Sequence, residues 1–539
     1  MKKFAFIAFL LCTALTIIAQ NNSVSKVWVS DNGNGTFKNP VIHADYSDPD
    51  AIRVGDDYYM ISSSFNHAPG LPILHSKDLV NWKLIGHALN KLVPEDHFKK
   101  VQHGGGIWAP AIRFYNNEFY IYYPDPDFGI YLIKAKNISG PWSEPQLVEA
   151  GKGLIDPCPL WDKDGKVYLV HAYAGSRAGI KSIIVVKELN KEGIKVISDA
   201  VMIYDGHESD PTIEGPKFYK RNGWYYIFAP AGGVSTGWQT VLRSKNVYGP
   251  YERKVVMEQG STNINGPHQG AWVTTQTGED WFLHFQDKEA YGRVVHLQPM
   301  KWMNEWPVIG NDKDGDGKGE PVLTYKKPNV GKVYPVITPA ESDEFNSATL
   351  GLQWQWQANP KQGWAFTTSQ GYLRMFSAYK NDSVKSAWDL PDILAQKFPA
   401  EEFSATVKLD FKPRHEQEQF GFIIQGSDYA FLSLQKRMEG NFITFNQCFN
   451  ADKGGVESET TIQKFSHSTI YLRIKIKSGA VCEFSFSEDG KNFSSAGNSF
   501  TAKPGKWVGA KIGMFFSGKK ITNDAGFADI DWFRVEPVN

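Results

Sequence analysis

Five residues whose side chains could take part in chemistry recur along the 539-residue chain at intervals of about 50 to 60 residues. They are two aspartates, a glutamate, a histidine and a tryptophan, in the order Asp48, Trp108, Asp156, Glu214 and His268. A pair of carboxyl groups can serve as general acid and general base in a hydrolytic reaction. An aspartate beside a proline is also a common turn former where a strand begins. The regular recurrence favours the chemical interpretation.

The first of these positions lies in a cluster of aspartates, in the segment HADYSDPDAIRVGDDYYMISSS of residues 43–64. Asp45, Asp48 and Asp50 all precede a strand-like run. The residues alone do not say which of the three carboxylates would be the reactive one.

The elements that must position these residues are strands. Short alternating runs rich in Tyr, Phe, Val and Ile are separated by Gly, Asn and Asp, as in DDYYMISSS, NEFYIYYP, GKVYLVHAY, GWYYIFAP and EDWFLHFQ. Each run belongs to a longer unit, and five such units start about 50 to 60 residues apart. This period is typical of propeller blades, whereas the hairpins of a sandwich have no reason to repeat. We predict an all-β protein with a five-bladed β-propeller over about residues 38–310.

A propeller would bring the five residues together. The innermost strand of every blade runs along the central channel, so equivalent positions converge there. Two aspartates, a glutamate, a histidine and a tryptophan around one funnel could hydrolyse a glycosidic bond.

The composition agrees with a neutral partner. The 58 basic residues balance 58 acidic ones, so no basic face is expected for nucleic acid or an anionic membrane. Aromatic residues make up 14% of the chain, including 17 Trp, and Trp and Tyr rings pack well against the apolar faces of sugars. A neutral substrate is therefore expected, and the resemblance described next implies that it is a neutral polysaccharide or oligosaccharide.

Several motifs in the propeller region, taken in order, resemble glycoside hydrolase family 43: SDPDAIRVGDDYYMISSSF, GLPILHSKDLVNW, GIWAPAIRF, LIDPCPLWDKDGKVYLV, TIEGPKFYKRNGWYYIF and GRVVHLQP. The resemblance implies that Asp48 is the general base and Glu214 the general acid. It implies that Asp156 raises the pKa of the acid and orients it. An inverting glycosidase holds its acid and base about 6.5 to 9.5 Å apart so that water fits beside the sugar.

The resemblance also suggests substrate contacts. Arg293, in YGRVV, matches an arginine of the subsite nearest the cleaved bond, with a surface ion pair as the alternative. Phe65 and Trp108 are expected at the pocket wall, with core packing as the alternative. His268 is expected near the substrate, where it would help hold a calcium ion or a water network on the propeller axis; a hydrogen-bonded core histidine is the alternative. No cofactor is expected to be required.

A second acidic segment, NDKDGDGKGE at residues 311–320, has the spacing of a calcium loop. An EF-hand loop that began at Asp312 would need Glu at its twelfth position, and that position is Leu323. We therefore expect a solvated turn that closes the propeller.

The repeat stops after a proline-containing linker at residues 326–340, so the propeller domain is placed at residues 21–325. Beyond the linker, DEFNSATLGLQWQWQANP, FGFIIQGSDYAFLSLQ, FSFSEDGKNFSSAG and ADIDWFRVEP resemble the concanavalin-like β-sandwich appended to many family members. We expect this sandwich over residues 341–539. In related enzymes a loop of this domain narrows the pocket, and the GMFFSGKK region near Phe515 is a candidate. Cys448 and Cys482 could pair, or both could be buried free thiols.

The N-terminal twenty residues, MKKFAFIAFLLCTALTIIAQ, have two lysines and an apolar run too short to span a membrane, which indicates a secretory signal peptide. No later stretch is apolar for the roughly 18 residues that a span needs. The chain is therefore expected to be exported to the periplasm or the outside of the cell.

The resemblance implies an inverting, exo-acting glycoside hydrolase. It would release terminal α-L-arabinofuranose or β-D-xylose from plant hemicellulose or pectin side chains. An endo-acting arabinanase and a non-catalytic glycan-binding propeller are the alternatives. A retaining fructan hydrolase, also a five-bladed propeller, would need N-D-P-N-G where this chain has SDPDA.

Overall fold

The computed structural model describes residues 24–538. The predicted signal peptide, residues 1–20, lies outside the described residues. Within residues 24–538, no helix is both long and apolar enough to cross a membrane.

The described chain begins with a short strand, β1 (Thr36–Lys38), and then forms five four-stranded antiparallel sheets. In chain order these sheets are Asp50–Val54, Asp57–Ile61, Gly70–Ser76 and Trp82–Leu89 (β2–β5); Ala111–Tyr115, Glu118–Asp125, Gly129–Ala135 and Gln146–Ala150 (β6–β9); Leu154–Trp161, Val167–Tyr173, Ile183–Leu189 and Val201–Asp205 (β10–β13); Lys217–Arg221, Trp224–Ala231, Trp238–Ser244 and Glu252–Met257 (β14–β17); and His268–Thr274, Asp280–Asp287, Arg293–Met303 and Trp306–Ile309 (β18–β21). The predicted five-bladed propeller is confirmed.

Each sheet pairs its strands in chain order. First strands of neighbouring sheets contact one another from β18 through β2, β6 and β10 to β14, and β18 contacts β15 of the fourth sheet. The sequence encodes the hairpins locally. Asn116 and Asn117 both have positive φ, 48° and 60°, between paired Tyr115 and Glu118. A two-residue hairpin turn of this type needs positive φ at both central positions, which Asn tolerates.

The strand β22 (Thr324–Lys326) pairs with β1 and ties the chain after the fifth blade to the segment before the first. The side chain of Asn39 adds to this closure, because its amide donates to the carbonyls of Leu297 and Val322 at 2.9 and 2.8 Å.

The C-terminal half forms two large sheets that face each other, which confirms the predicted β-sandwich. One sheet contains Gln355–Trp356, Ala378–Tyr379, Leu394–Lys397, Gln419–Gln425, Tyr429–Arg437, Gly440–Cys448, Ser458–Phe465 and Lys511–Gly518 (β23, β26, β27, β29–β32 and β37). The other contains Ala365–Thr367, Leu373–Phe376, Phe403–Lys412, Thr469–Lys477, Val481–Ser487, Ser494–Ser495, Phe500–Thr501 and Phe527–Glu536 (β24, β25, β28, β33–β36 and β38).

The helices of the described chain are all short. One is α-helical, Gly175–Ala178 (α1), and the others are single 3-10 turns at His97–Lys99, Glu289–Tyr291, Ala387–Asp389, Ala451–Lys453 and Ser478–Ala480.

The core of the sandwich lies between its two sheets. Trp354 packs edge to face on Phe533, with ring centroids 5.0 Å apart, and Phe533 also contacts Phe422 of the opposite sheet. The cysteines at 158, 448 and 482 are buried free thiols. Of the two alternatives for Cys448 and Cys482, pairing is therefore wrong.

The sandwich packs directly on the propeller. Ala68 and Trp356 exchange two backbone hydrogen bonds across the interface, at 3.0 and 2.6 Å. The side chain of Asn359 exchanges two more with the backbone of Leu92, both at 2.8 Å. These contacts fix the sandwich next to the face of the propeller where the first strands begin.

Candidate active site

The five residues that recur in the sequence lie at the N-terminal ends of the innermost strands. Asp48, Trp108 and Glu214 come two or three residues before β2, β6 and β14, and Asp156 and His268 lie at the start of β10 and β18. The structure brings the first four to one cavity of about 250 Å³. A smaller cavity of about 60 Å³ between the two domains contains none of the five.

Asp48 is the aspartate of its cluster that lines the cavity. Its Oδ2 accepts hydrogen bonds from the hydroxyls of Ser47 and Ser63, at 2.8 and 2.5 Å. Its Oδ1 lies 3.2 Å from the guanidinium of Arg293. With φ of +56° Asp48 has the unusual backbone conformation that is often found at functional sites. Three donors therefore fix the orientation of this carboxylate.

The two flanking aspartates have structural contacts. Asp45 accepts backbone N–H groups from Arg293 and Gly509, each at 2.9 Å. Asp50 is fully buried and accepts from the backbone of Ile112 and the guanidinium of Arg113, both at 2.7 Å. The geometry thus distinguishes three carboxylates that the sequence left equivalent.

Asp156 lies in a bulge of β10 with φ of +57°. Its Oδ2 accepts the backbone N–H of Gly215 at 2.7 Å, which links the third blade to the fourth. Burial raises the pKa of Asp156 to about 7, and the negative charge of Asp48 adds to this increase while the Gly215 N–H opposes it. The negative charge of Asp156 in turn raises the pKa of Glu214.

Glu214 points into the cavity, and about a third of its side chain, 32%, is exposed there. Burial, followed by the negative charge of Asp156, raises the pKa of Glu214 to about 8. A carboxyl group with this pKa is protonated at neutral pH and can donate its proton. Because Asp156 accepts the Gly215 N–H, we assign the shared proton of the pair to Glu214.

His268 does not line the cavity. It is fully buried behind Glu214, with Nε2 3.6 Å from Oε1 of the glutamate. A bulge between His268 and Gly270 shifts the register, so Gln269 lines the cavity instead. Burial, and then the charge of Arg293, lower the pKa of His268 to about 3, so the ring is neutral.

Metal ligands were also expected near His268. Both of its ring nitrogens lack a hydrogen-bond partner among the described residues. The one group of three acidic or histidine residues in residues 24–538 that could hold a metal is Asp312, Asp314 and Asp316, which does not line the cavity. A cation beside His268 would therefore need water for most of its ligands.

The acidic turn at 311–320 binds its own backbone. Asp312 accepts the N–H groups of Gly315 and Gly317, at 2.8 and 3.1 Å, and Asp316 lies 3.3 Å from Lys318. These contacts are those of the expected turn.

Arg293 lies at the start of β20 and is 8% exposed. Its Nη1 donates to the hydroxyl of Ser47 at 2.8 Å as well as contacting Asp48. The guanidinium also lies 4.9 Å from the ring centroid of Phe285. The arginine therefore contributes to the inside of the pocket, and the alternative of a surface ion pair is wrong.

Three aromatic residues form one wall of the cavity. Phe65 and Trp108 are in edge contact, with ring centroids 6.4 Å apart, and Trp108 contacts Trp507 at 6.2 Å. Trp507 belongs to the sandwich and was missed by sequence reasoning. The expected region near Phe515 lies instead in β37, where Phe515 is buried against Phe431. The signal in the sequence was a single Trp between Pro and Gly in the segment KPGKWVG, which is typical of a loop rather than of a buried strand.

The segment after β11 adds another side of the cavity that the sequence did not predict. Tyr173, the last residue of β11, lines the cavity together with Ser176 of α1 and Lys181 just after it. Arg177 lies against the face of Trp108, 5.5 Å from its ring centroid, and is paired with Asp127 at 3.3 Å. Polar and cationic groups therefore surround the mouth next to Glu214.

Acid–base cleavage of a sugar linkage needs a carboxyl that donates a proton and a second carboxylate that accepts one. This pocket contains both, and its aromatic wall could pack against a sugar ring. The fold and the site together define a glycoside hydrolase. More specifically, the chain belongs to Glycosyl hydrolases family 43, whose sequence profile matches residues 37–307. A second profile, the beta xylosidase C-terminal concanavalin A-like domain, matches residues 342–536.

Relatives extend over nearly the whole chain. A putative beta-xylosidase of Xylanibacter ruminicola is 39% identical over 92% of this chain and 90% of its own. A non-reducing end alpha-L-arabinofuranosidase of Bacteroides ovatus is 30% identical over 92% of this chain and 94% of its own. The crystal structure of a xylan beta-1,4-xylosidase from Bacillus halodurans is 25% identical, with a TM-score of 0.81 over 93% of this chain and 99% of that one. The two-domain arrangement is therefore shared.

Proposed function

We propose that this protein is an inverting, exo-acting hydrolase that releases terminal pentosyl residues, α-L-arabinofuranose or β-D-xylose, from plant hemicellulose or pectin side chains. The observation that carries the proposal is that Glu214 and the hydrogen-bonded carboxylate of Asp48 line one pocket. Burial and the charge of Asp156 raise the pKa of Glu214 to about 8. One group can donate a proton at neutral pH while the other accepts one.

The proposed reaction is a single displacement. Asp48 accepts a proton from a water molecule as the water oxygen bonds to the anomeric carbon. Glu214 gives its proton to the glycosidic oxygen as the carbon–oxygen bond breaks, so the leaving sugar departs as an alcohol. Asp156 orients the backbone of Gly215 beside the acid, and its charge keeps the proton on Glu214. Arg293 orients Asp48 and faces the bound sugar.

The shape of the pocket supports exo action. Its volume of about 250 Å³ is near the lower end of the range of about 300 to 1,000 Å³ for small-molecule sites, which suits a single terminal sugar. Trp507 of the sandwich contacts both Trp108 and Arg293, so the pocket is walled on the side of the second domain. An endo-acting arabinanase would need a groove open at both ends. The names of the relatives, beta-xylosidase and alpha-L-arabinofuranosidase, support a pentose in this pocket.

The protein would encounter a plant polysaccharide only outside the cytoplasm. We propose export through the apolar N-terminal segment of residues 1–20, to the periplasm or beyond, because plant polysaccharides are extracellular. Detection of the mature protein in cell fractions, with sequencing of its N-terminus, tests this part of the proposal.

The activity is tested by hydrolysis of the nitrophenyl glycosides of α-L-arabinofuranose and β-D-xylose by the wild type and by Asp48→Asn. The wild type should cleave at least one glycoside, and Asp48→Asn should lose a factor of about 10² to 10⁴, as expected for a general base. The control is Asp316→Asn, in the exposed acidic turn, which should keep the wild-type activity. Asp45→Asn is not suitable as a control because Asp45 contacts Arg293. If sugars bind but neither glycosides nor oligosaccharides are cleaved, the protein is a glycan-binding propeller.

A further inference from the structure

We infer that Asp45 is a positioning residue that locks the Trp507 loop, residues 503–509 of the sandwich, onto the pocket of the propeller. The inference rests on the proposed function, because the pocket it describes is the proposed sugar site. It assigns a role to an aspartate that lies outside the cavity.

The carboxylate of Asp45 contacts both domains at once. Its Oδ1 accepts the backbone N–H of Arg293 at 2.9 Å, and its Oδ2 accepts the backbone N–H of Gly509 at 2.9 Å. The ammonium of Lys511 lies 3.9 Å from the same Oδ2. Asp45 is only 4% exposed, so these groups replace the water that a free carboxylate would bind.

The two backbones approach too closely for side chains. A Cβ at Gly509 would lie 2.6 Å from the nitrogen of Gly292, and a Cβ at Gly292 would lie 2.5 Å from Cγ of Asp45. Gly292 also has φ of +73°, which other residues rarely adopt. Glycine at both positions therefore lets the carboxylate reach the two N–H groups.

The loop is held at both of its ends. At its start, the carbonyl of Pro504 accepts the N–H of Ser427, at 3.0 Å, within the sandwich. Just beyond its end, Ala510 donates to the carbonyl of Ala290 of the propeller at 2.7 Å. Trp507 lies between these anchors with φ of +65°. The anchor nearest to Trp507 on the propeller side is Gly509, which Asp45 holds.

One carboxylate thus sets the distance between two walls of the pocket. Arg293 contacts Asp48, and its guanidinium lies 5.9 Å from the ring centroid of Trp507. Because Asp45 holds the backbone of Arg293 and that of the Trp507 loop together, loss of Asp45 should loosen the aromatic wall. The proposed base, Asp48, is also held by the hydroxyls of Ser47 and Ser63, and Asp45 has no contact with Glu214, so both carboxyls should be disturbed less than the wall.

The direct test is amide hydrogen exchange in the full-length protein, which needs no activity. Asp45→Asn keeps the size of the side chain but replaces one acceptor oxygen with a donor. Exchange of the Gly509 amide and of its neighbours in the loop should increase by about tenfold or more. Asn359→Ala, which also removes two hydrogen bonds between the domains, is the matched control and should leave the loop protected.

Kinetics provide the second readout. Asp45→Asn and Trp507→Ala should each raise KM for the aryl pentosides by about fivefold or more, with a smaller change in kcat, as expected for loss of uniform binding. The double variant should be no worse in KM than Trp507→Ala alone, because Asp45 acts through the loop. Asn359→Ala should leave KM unchanged.

The outcomes separate the inference from the proposed function. If the wild type cleaves no pentoside, the proposed function fails, while exchange at Gly509 still decides whether Asp45 locks the loop. If the loop amides are equally protected in Asp45→Asn and the wild type, the inference is wrong. Additive effects of Asp45→Asn and Trp507→Ala on KM would also overturn it, because the two residues would then act independently.

Discussion

The Oδ2 atom of Asp156 lies 2.7 Å from the backbone nitrogen of Gly215, the residue that follows Glu214. This bond joins the third blade to the peptide that carries the proposed acid. Asp156 therefore acts on Glu214 in two ways, through its charge and through the position of the backbone.

The variant Asp156→Asn separates these two effects. Asparagine can still accept the Gly215 N–H but has no charge, so the pKa of Glu214 should fall from about 8. The acid must be protonated to act, so the loss of activity on the alkaline side should move to lower pH, by about one unit or more. The pH profile of kcat for a pentoside measures this shift. If activity fell at the same alkaline pH in Asp156→Asn and the wild type, the fall would be caused by a group other than Glu214.

The variant Glu214→Gln should depend strongly on the leaving group. Glutamine cannot donate a proton, so a xylobiose or arabinobiose substrate should lose a factor of about 10² to 10⁴ in kcat. A dinitrophenyl pentoside, whose leaving group departs without protonation, should lose much less. Kinetics on the two substrates measure the difference. Equal loss on both would remove Glu214 from the role of acid.

The buried ion pair between Arg113 and Asp50 should be important for stability. Arg113 contacts Asp50 at 2.7 Å, and the aspartate is fully buried. Arg113→Met would leave this charge without its partner, so the free energy of unfolding should fall by about 3 to 5 kcal/mol. Denaturant unfolding measures the loss. Lys91→Met, which removes an exposed ion pair with Glu95, is the control and should cost about 1 kcal/mol or less. Equal losses would contradict this account.

Metal removal should leave the reaction intact. The proposed acid and base are protein carboxyls, and Arg293 supplies the positive charge in the pocket. We therefore expect full activity after dialysis against EDTA. If activity falls and calcium restores it in the wild type but not in His268→Gln, the axial histidine holds an ion that catalysis needs. The same experiment with Asp312→Asn tests the acidic turn.

The propeller was predictable because it repeats. Each blade needs the same hairpins, so turn residues such as Asn116 and Asn117 recur with alternating strands in every unit. The C-terminal sandwich was predicted from its resemblance to known domains. Strand spacing alone would not distinguish its two sheets.

Only some of the residues that line the pocket were predicted. A bulge in one strand and the docking of the second domain determine the others. A shift of one residue reverses the direction in which the side chains of a strand point. Because of the bulge at the start of β18, Gln269 rather than His268 therefore lines the pocket. Trp507 reaches the pocket through docking of a second domain. A contact between residues 108 and 507 has no local signature, whereas Asp48 and Glu214 belong to the repeat itself.

The measurement that tests the proposed mechanism most directly is proton NMR of the first sugar that the wild type releases from a nitrophenyl pentoside. Asp48 acting as a base on water, with Glu214 as the acid, predicts a product of inverted configuration. A β-D-xyloside should give α-D-xylose first, and an α-L-arabinofuranoside should give β-L-arabinofuranose first, before mutarotation mixes the anomers. Initial release of the anomer with the configuration of the substrate would show a retaining reaction and contradict the roles assigned to both carboxyls.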